Sequence, residues 1–199
     1  MLSDGALRML VLLHFHTLGF SPAQLAYLFV LYEIAGIITN LGAGWIAARF
    51  GLSSTLYTGL ALQIIALVAL LQLSPDWTIW ASVAYVMFAQ GLSGVAKDLS
   101  KMSAKSAVKL LAPKSEGGLF RWVAILTGSK NAVKGVGFFV GAVVLGTFGF
   151  HAVIQGMALF LSIILLVLIF RMPVGLPTGR KDAKFKEVLS KNSNVNWLS

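Results

Sequence analysis

The chain has 199 residues, of which 57% are hydrophobic and only 12% charged, and it carries a net charge of +9. Soluble domains average about a quarter charged residues, so this composition excludes an ordinary soluble domain and points to a membrane protein. The absence of Cys excludes disulfides, thiolate catalysis and Cys-ligated metal, and basic residues set beside lipid-length apolar runs argue against nucleic acid as the partner.

A bilayer core of about 30 Å needs roughly 20 apolar helical residues. The first stretch, residues 1–18, covers only about 27 Å at 1.5 Å per residue. It carries Asp4 and Arg8 close to its start and has no polar lead-in. The expectation is a first transmembrane helix cut, or its start misassigned, at the N-terminus. The second stretch, 23–48, holds one acid, Glu33, well away from either end. The third, 55–73, has no charge. The fourth, 77–96, is flanked by Trp77 and Trp80 at an interface. No proline interrupts it before Pro113, and a helix of that length would run about 54 Å, beyond the bilayer. The fifth, 132–150, is rich in Gly, and Gly137 with Gly141 gives the small-xxx-small spacing that allows close helix approach. The sixth, 152–170, is again free of charge. The expected fold is an all-α membrane protein, a six-helix transmembrane bundle over 1–171. A basic cytoplasmic linker follows over 172–199, with a short amphipathic helix around 184–189.

The Lys and Arg residues fix the orientation. Arg49 follows the second stretch, eight cations run from Lys97 to Lys134 between the fourth and fifth, and six run from Arg171 to Lys191 after the sixth. The alternate connections, around 19–24, 74–77 and 149–152, carry none. Short cytoplasmic loops retain Lys and Arg, so the basic connections and the C-terminal tail are expected to face the cytoplasm.

Charged residues at membrane depth are the candidates for function, because they are costly and face a bundle interior or an aqueous cavity. Arg8 can clamp an anion with its guanidinium, or simply pair with Asp4 four residues earlier. Glu33 and Asp4 are candidate proton carriers, Glu33 equally a hydrogen-bonded structural acid. Lys97, Lys101, Lys105 and Lys109 recur every four residues on one broad helical face, and Lys130 and Lys134 repeat the spacing. Such like charges repel, so their company suggests an anion or lipid phosphates. Lys97, Lys101 and Lys134 lie nearest membrane depth and are the candidate substrate ligands with Arg8. Lys105, Lys109 and Lys114 are expected to be topological anchors. Asn40, Gln63 and Gln90 are expected to bond between helices. His14, His16 and His151 lack the spacing of a metal site. No nucleophile elbow, phosphate loop, zinc signature or paired catalytic carboxylate is present, which argues against an enzyme and against any cofactor or metal.

The run GWIAARFG at 44–51 resembles the loop signature of the major facilitator superfamily, Gly-x-Leu-Ala-Asp-Arg-x-Gly-Arg-Arg. Gly44, Ala47, Arg49 and Gly51 match. Ala48 replaces the motif's Asp, and Leu52 with Ser53 replaces its basic pair. Six spans and a basic linker match that family's N-terminal half. A closer resemblance lies in SDGALR at 3–8, KDLSKMSAKS at 97–106 and NAVKGVGFF at 131–139, which together look like the organoarsenical efflux permeases of the ArsJ type. It runs over the whole chain and covers about half of such a permease. The resemblance implies efflux of 1-arseno-3-phosphoglycerate across the bacterial inner membrane, arsenate resistance, and a functional link to glyceraldehyde-3-phosphate dehydrogenase, which makes the substrate. It also implies a C-terminal six-helix half as partner, and a cavity presenting Arg8, Lys97 and Lys101. The competing readings are a major facilitator transporter of another organic anion and a six-helix scaffold that binds anionic lipid. A scaffold would need no charges inside its first helix.

Overall fold

The computed structural model describes residues 2–74, 76–111 and 118–171. The proposed linker at 172–199, its amphipathic helix and Lys114 lie outside them, as does the side chain of Lys109. The described residues form seven helices: α1 Leu2–Thr17, α2 Pro22–Tyr27, α3 Val30–Phe50, α4 Leu52–Leu71, α5 Ile79–Leu111, α6 Gly118–Phe148 and α7 Phe150–Arg171. Five segments are long and apolar enough to cross a membrane: Pro22–Gly42, Leu52–Leu71, Ile79–Ala107, Phe120–Phe148 and Phe150–Arg171. At 16 residues, α1 reaches only about 24 Å and falls short of a full span.

The second stretch is a helix pair. Ser21 caps α2 in a reciprocal box: its hydroxyl accepts from the Gln24 N–H, while the Gln24 side-chain oxygen accepts from the Ser21 N–H at 2.9 Å. Pro22 fits the first turn, where its missing N–H would have no partner. The chain then tightens, with the Phe29 N–H donating to Ala26 three residues back, before α3 resumes. Glu33 therefore sits in the first turn of α3 and not deep within one continuous helix.

Helix α5 has 33 residues and runs roughly 50 Å, as the absence of proline suggests. Helix α6 starts at Gly118, well before the apolar run that marks it in the sequence. Lys97, Lys101 and Lys105 on α5, and Arg121, Lys130 and Lys134 on α6, are thus carried on helices and not in a connecting loop.

One apolar core joins Leu7, Leu10 and Phe15 of α1 to Leu67 and Leu70 of α4, Val86 of α5 and Ile154 of α7. Large apolar side chains such as Ile38, Leu41, Phe139 and Phe170 point outward, as lipid contact requires. The closest helix pairs are α4 with α5, α3 with α5, α1 with α6, and α4 with α7.

Candidate functional site

Polar side chains converge where α1, α3, α5 and α6 meet. Glycines set the distances. A Cβ on Gly5 would stand 2.5 Å from the Lys134 carbonyl oxygen, one on Gly141 would stand 2.8 Å from Ala6 Cα, and one on Gly137 would collide with the Leu2 carbonyl. The backbones of α1 and α6 touch because these residues have no side chain. That contact places Lys134 opposite Asp4.

Asp4 is only 4% exposed. Its Oδ1 accepts a hydrogen bond from the Tyr32 hydroxyl, and its Oδ2 lies 4.0 Å from the Lys134 ammonium. The Arg8 guanidinium donates to Glu33 and lies 4.1 Å from the Tyr32 ring centroid and 5.7 Å from that of Phe29. The break between α2 and α3 is what brings Phe29, Tyr32 and Glu33 around Arg8. Lys97 also lies 4.1 Å from the Tyr32 centroid, so two cations share one aromatic ring. Asp98, 1% exposed, accepts from Lys101 at 3.4 Å through Oδ1. Its Oδ2 points at Gly36, where a Cβ would stand 2.8 Å away. Among the described residues, Arg8, Lys101 and Lys134 each have a carboxylate within ion-pair distance and Lys97 has none. Four cations face three acids, and the unmatched one is half-buried at the junction of α3 and α5.

A cavity of about 260 Å³ adjoins this cluster between α1, α4, α5 and α7, lined by Asp4, Lys97, Gln63 and Ser100 among others. Gln63 accepts from the Ser93 hydroxyl at 3.0 Å. Asp4 Oδ2 and Gln63 Nε2 are buried without a hydrogen-bond partner. The charged wall can therefore bind an anion, and the cavity beside it holds unspent polar groups.

The sequence model of the Major Facilitator Superfamily matches residues 1–198. The chain belongs to the major facilitator superfamily. It is a multi-pass membrane protein of a secondary-transporter family, not of an enzyme family. No curated protein matches the chain.

The superfamily signature occupies the turn between α3 and α4. Gly51 is the single residue between the two helices, with φ +79°, a left-handed conformation that favours glycine. Arg49, exposed at the end of α3, lies over the Trp45 ring at 5.5 Å. Gly44 lies inside α3. The Ser103 hydroxyl of α5 donates to the Leu52 carbonyl at 3.1 Å and ties the turn to α5. With Ala48 in place of the motif's Asp, no carboxylate is available there to Arg49 among the described residues.

Of the residues singled out in the sequence, Arg8, Asp4, Glu33, Lys97 and Lys134 come together. Lys101 is bound to Asp98 and lines a separate cleft toward α6. Gly44, Arg49 and Gly51 form their own site, Arg49 about 24 Å along α3 from Glu33. The pairing of Arg8 with Asp4 does not form, because Tyr32 and Lys134 take Asp4 while Glu33 takes Arg8. Tyr32 was missed. Its only sequence signal is a hydroxyl beside Glu33 in an apolar run. Asn40 bonds within its own helix, to the Gly36 carbonyl at 3.0 Å.

Proposed function

We propose that the chain is the N-terminal half of an organoarsenical efflux permease of the ArsJ type. It would export 1-arseno-3-phosphoglycerate and so confer arsenate resistance. The observation that carries this reading is Lys97, a half-buried cation that makes no ion pair among the described residues, beside Arg8 and Lys134. A substrate with a phosphate at one end and an arsenate at the other offers anionic oxygens to all three. Arg8 binds such oxygens in a two-pronged geometry that an ammonium does not reproduce.

Two acids are placed to move protons. Glu33 holds Arg8 until an anion competes for the guanidinium, and Asp4 is shared between Tyr32 and Lys134. A C-terminal six-helix half completes the cavity, and one half rocks against the other around the midplane site. The protein sits in the bacterial inner membrane with its C-terminal tail in the cytoplasm. Its functional partner is the glyceraldehyde-3-phosphate dehydrogenase that arsenylates the substrate.

The experiment is uptake into everted membrane vesicles carrying the complete transporter, with the arsenylated substrate made in place by that dehydrogenase from arsenate. Arsenic uptake that requires both the dehydrogenase and the transporter is expected. Vesicles that ignore this substrate but accumulate another organic anion would move the assignment to the broader transporter reading.

A further inference from the structure

Lys105 and Lys130 take no part in the transport centre. They rim a cleft of about 270 Å³ between α5 and α6, together with Lys101. Its inner wall is apolar, formed by Ala104, Leu126 and Val133. No acid lines it. Lys105 and Lys130 make no ion pair among the described residues, and Lys101 is matched by Asp98 alone. Three ammonium groups over an apolar wall repel one another, and the cluster calls for an anion that brings its own apolar part.

The level of the cleft in the membrane identifies that anion. Trp77 and Trp80 are exposed beside the start of α5 and mark one interface. About 20 residues of helix cross the hydrocarbon core. Counting along α5 from Ile79 reaches Asp98, short of Lys101 and Lys105. Counting back along α6 from Phe148 reaches Ser129, next to Lys130. All three lysines therefore lie in the opposite headgroup layer, with Ala104 and Leu126 at their level and Val133 a turn deeper, where the acyl chains begin.

We propose that the α5–α6 cleft is a binding site for an anionic phospholipid, its phosphate held by Lys101, Lys105 and Lys130, its glycerol backbone against Ala104 and Leu126, and one acyl chain running inward past Val133. A soluble phosphate would satisfy the amines and leave the wall unused. The site does not depend on the identity of the transported substrate.

Native mass spectrometry of the purified full chain tests it, with phosphatidylglycerol, phosphatidylcholine or glycerol 3-phosphate added. Retention of phosphatidylglycerol over phosphatidylcholine is expected. The pair Lys105→Gln and Lys130→Gln should cut that retention by at least about tenfold, since each lysine near an anionic headgroup contributes on the order of 1 kcal/mol. Lys105→Arg with Lys130→Arg should keep it, and so should Arg121→Gln, an exposed cation outside the cleft. Equal retention of the two lipids would overturn the proposal. So would undiminished binding in the Gln pair, or displacement of phosphatidylglycerol by millimolar glycerol 3-phosphate, which would show a site for soluble phosphates. If the Gln pair does not fold, the Arg pair and the competition with glycerol 3-phosphate still decide the matter.

Discussion

Helices α4 and α7 pack in one way, and α1 and α6 in another. Helix α4 carries no charge and α7 only Arg171 at its end, and Leu67, Leu70, Ile154 and Leu161 are buried in the core that they share. Among the described residues one polar tie joins the two, from the Tyr57 hydroxyl to the Leu168 carbonyl at 3.4 Å. Helices α1 and α6 meet backbone to backbone at Gly5, Gly137 and Gly141, with Asp4 facing Lys134 across the contact. In lipid, apolar side chains gain little by leaving acyl chains for one another, so close fit is what holds helices together. Charges add little net stability in such a place, because their desolvation offsets their attraction. The α4–α7 pair shows that this bundle can pack without them. On the proposed reading, the charges between α1, α3, α5 and α6 serve an anion that passes there.

The largest effect that would sharpen this contrast is on Arg8. Arg8→Ala removes charge-assisted hydrogen bonds worth about 1.5–3 kcal/mol each, so transport by the complete protein should fall about 10- to 100-fold at equal membrane level. Arg8→Lys should recover part of it, and full activity of Arg8→Ala would remove Arg8 from the site. Glu33 is more than half exposed, so loss of its pairing with Arg8 should barely lower the thermal midpoint.

The packing half of the contrast comes next. Gly141→Leu forces a side chain into the Ala6 backbone and should destabilise the purified protein by about 1–3 kcal/mol. An unchanged midpoint in thermal unfolding would mean that α1 and α6 are not in that contact. The smallest effect is on the other side. A Cβ at Gly156 of α7 meets nothing within 4 Å, so Gly156→Ala should leave transport intact and raise helix stability by at most about 1 kcal/mol. A clear loss of stability there would break the distinction between the two pairs.

Much of this was readable in the sequence. The long α5 followed from the absence of proline, and the close α1–α6 approach from the spacing of Gly137 and Gly141. The grouping of Arg8 with Lys97 and Lys134 followed from the rarity of charge at membrane depth. The loop signature around Arg49 and Gly51 pointed to the superfamily. What could not be read depended on three-dimensional placement. The break after Tyr27 has no Gly or Pro to announce it, so Glu33 read as a mid-helix acid. Asp4 and Arg8 have pairing spacing, but across the bundle Tyr32, Glu33 and Lys134 lie closer to them. The start of α6 was hidden because residues 118–131 mix apolar and basic side chains. Lys101 shares a helix face with Lys97, yet Asp98 and the opening between α5 and α6 direct it elsewhere.

On the proposed reading the anion sits at Lys97, the one cation of the α1–α3–α5–α6 cluster with no ion-paired carboxylate among the described residues. That placement is tested most directly by measuring export of the arsenylated phosphoglycerate by the complete transporter with Lys97→Gln, against the parent and Arg121→Gln, at matched membrane levels. Among the described residues Lys97 makes no ion pair within 4.0 Å, so its removal breaks no direct carboxylate contact, and matched membrane levels separate lost export from lost protein. Export should fall about tenfold or more for Lys97→Gln and stay unchanged for Arg121→Gln. Parent-level export by Lys97→Gln would contradict it.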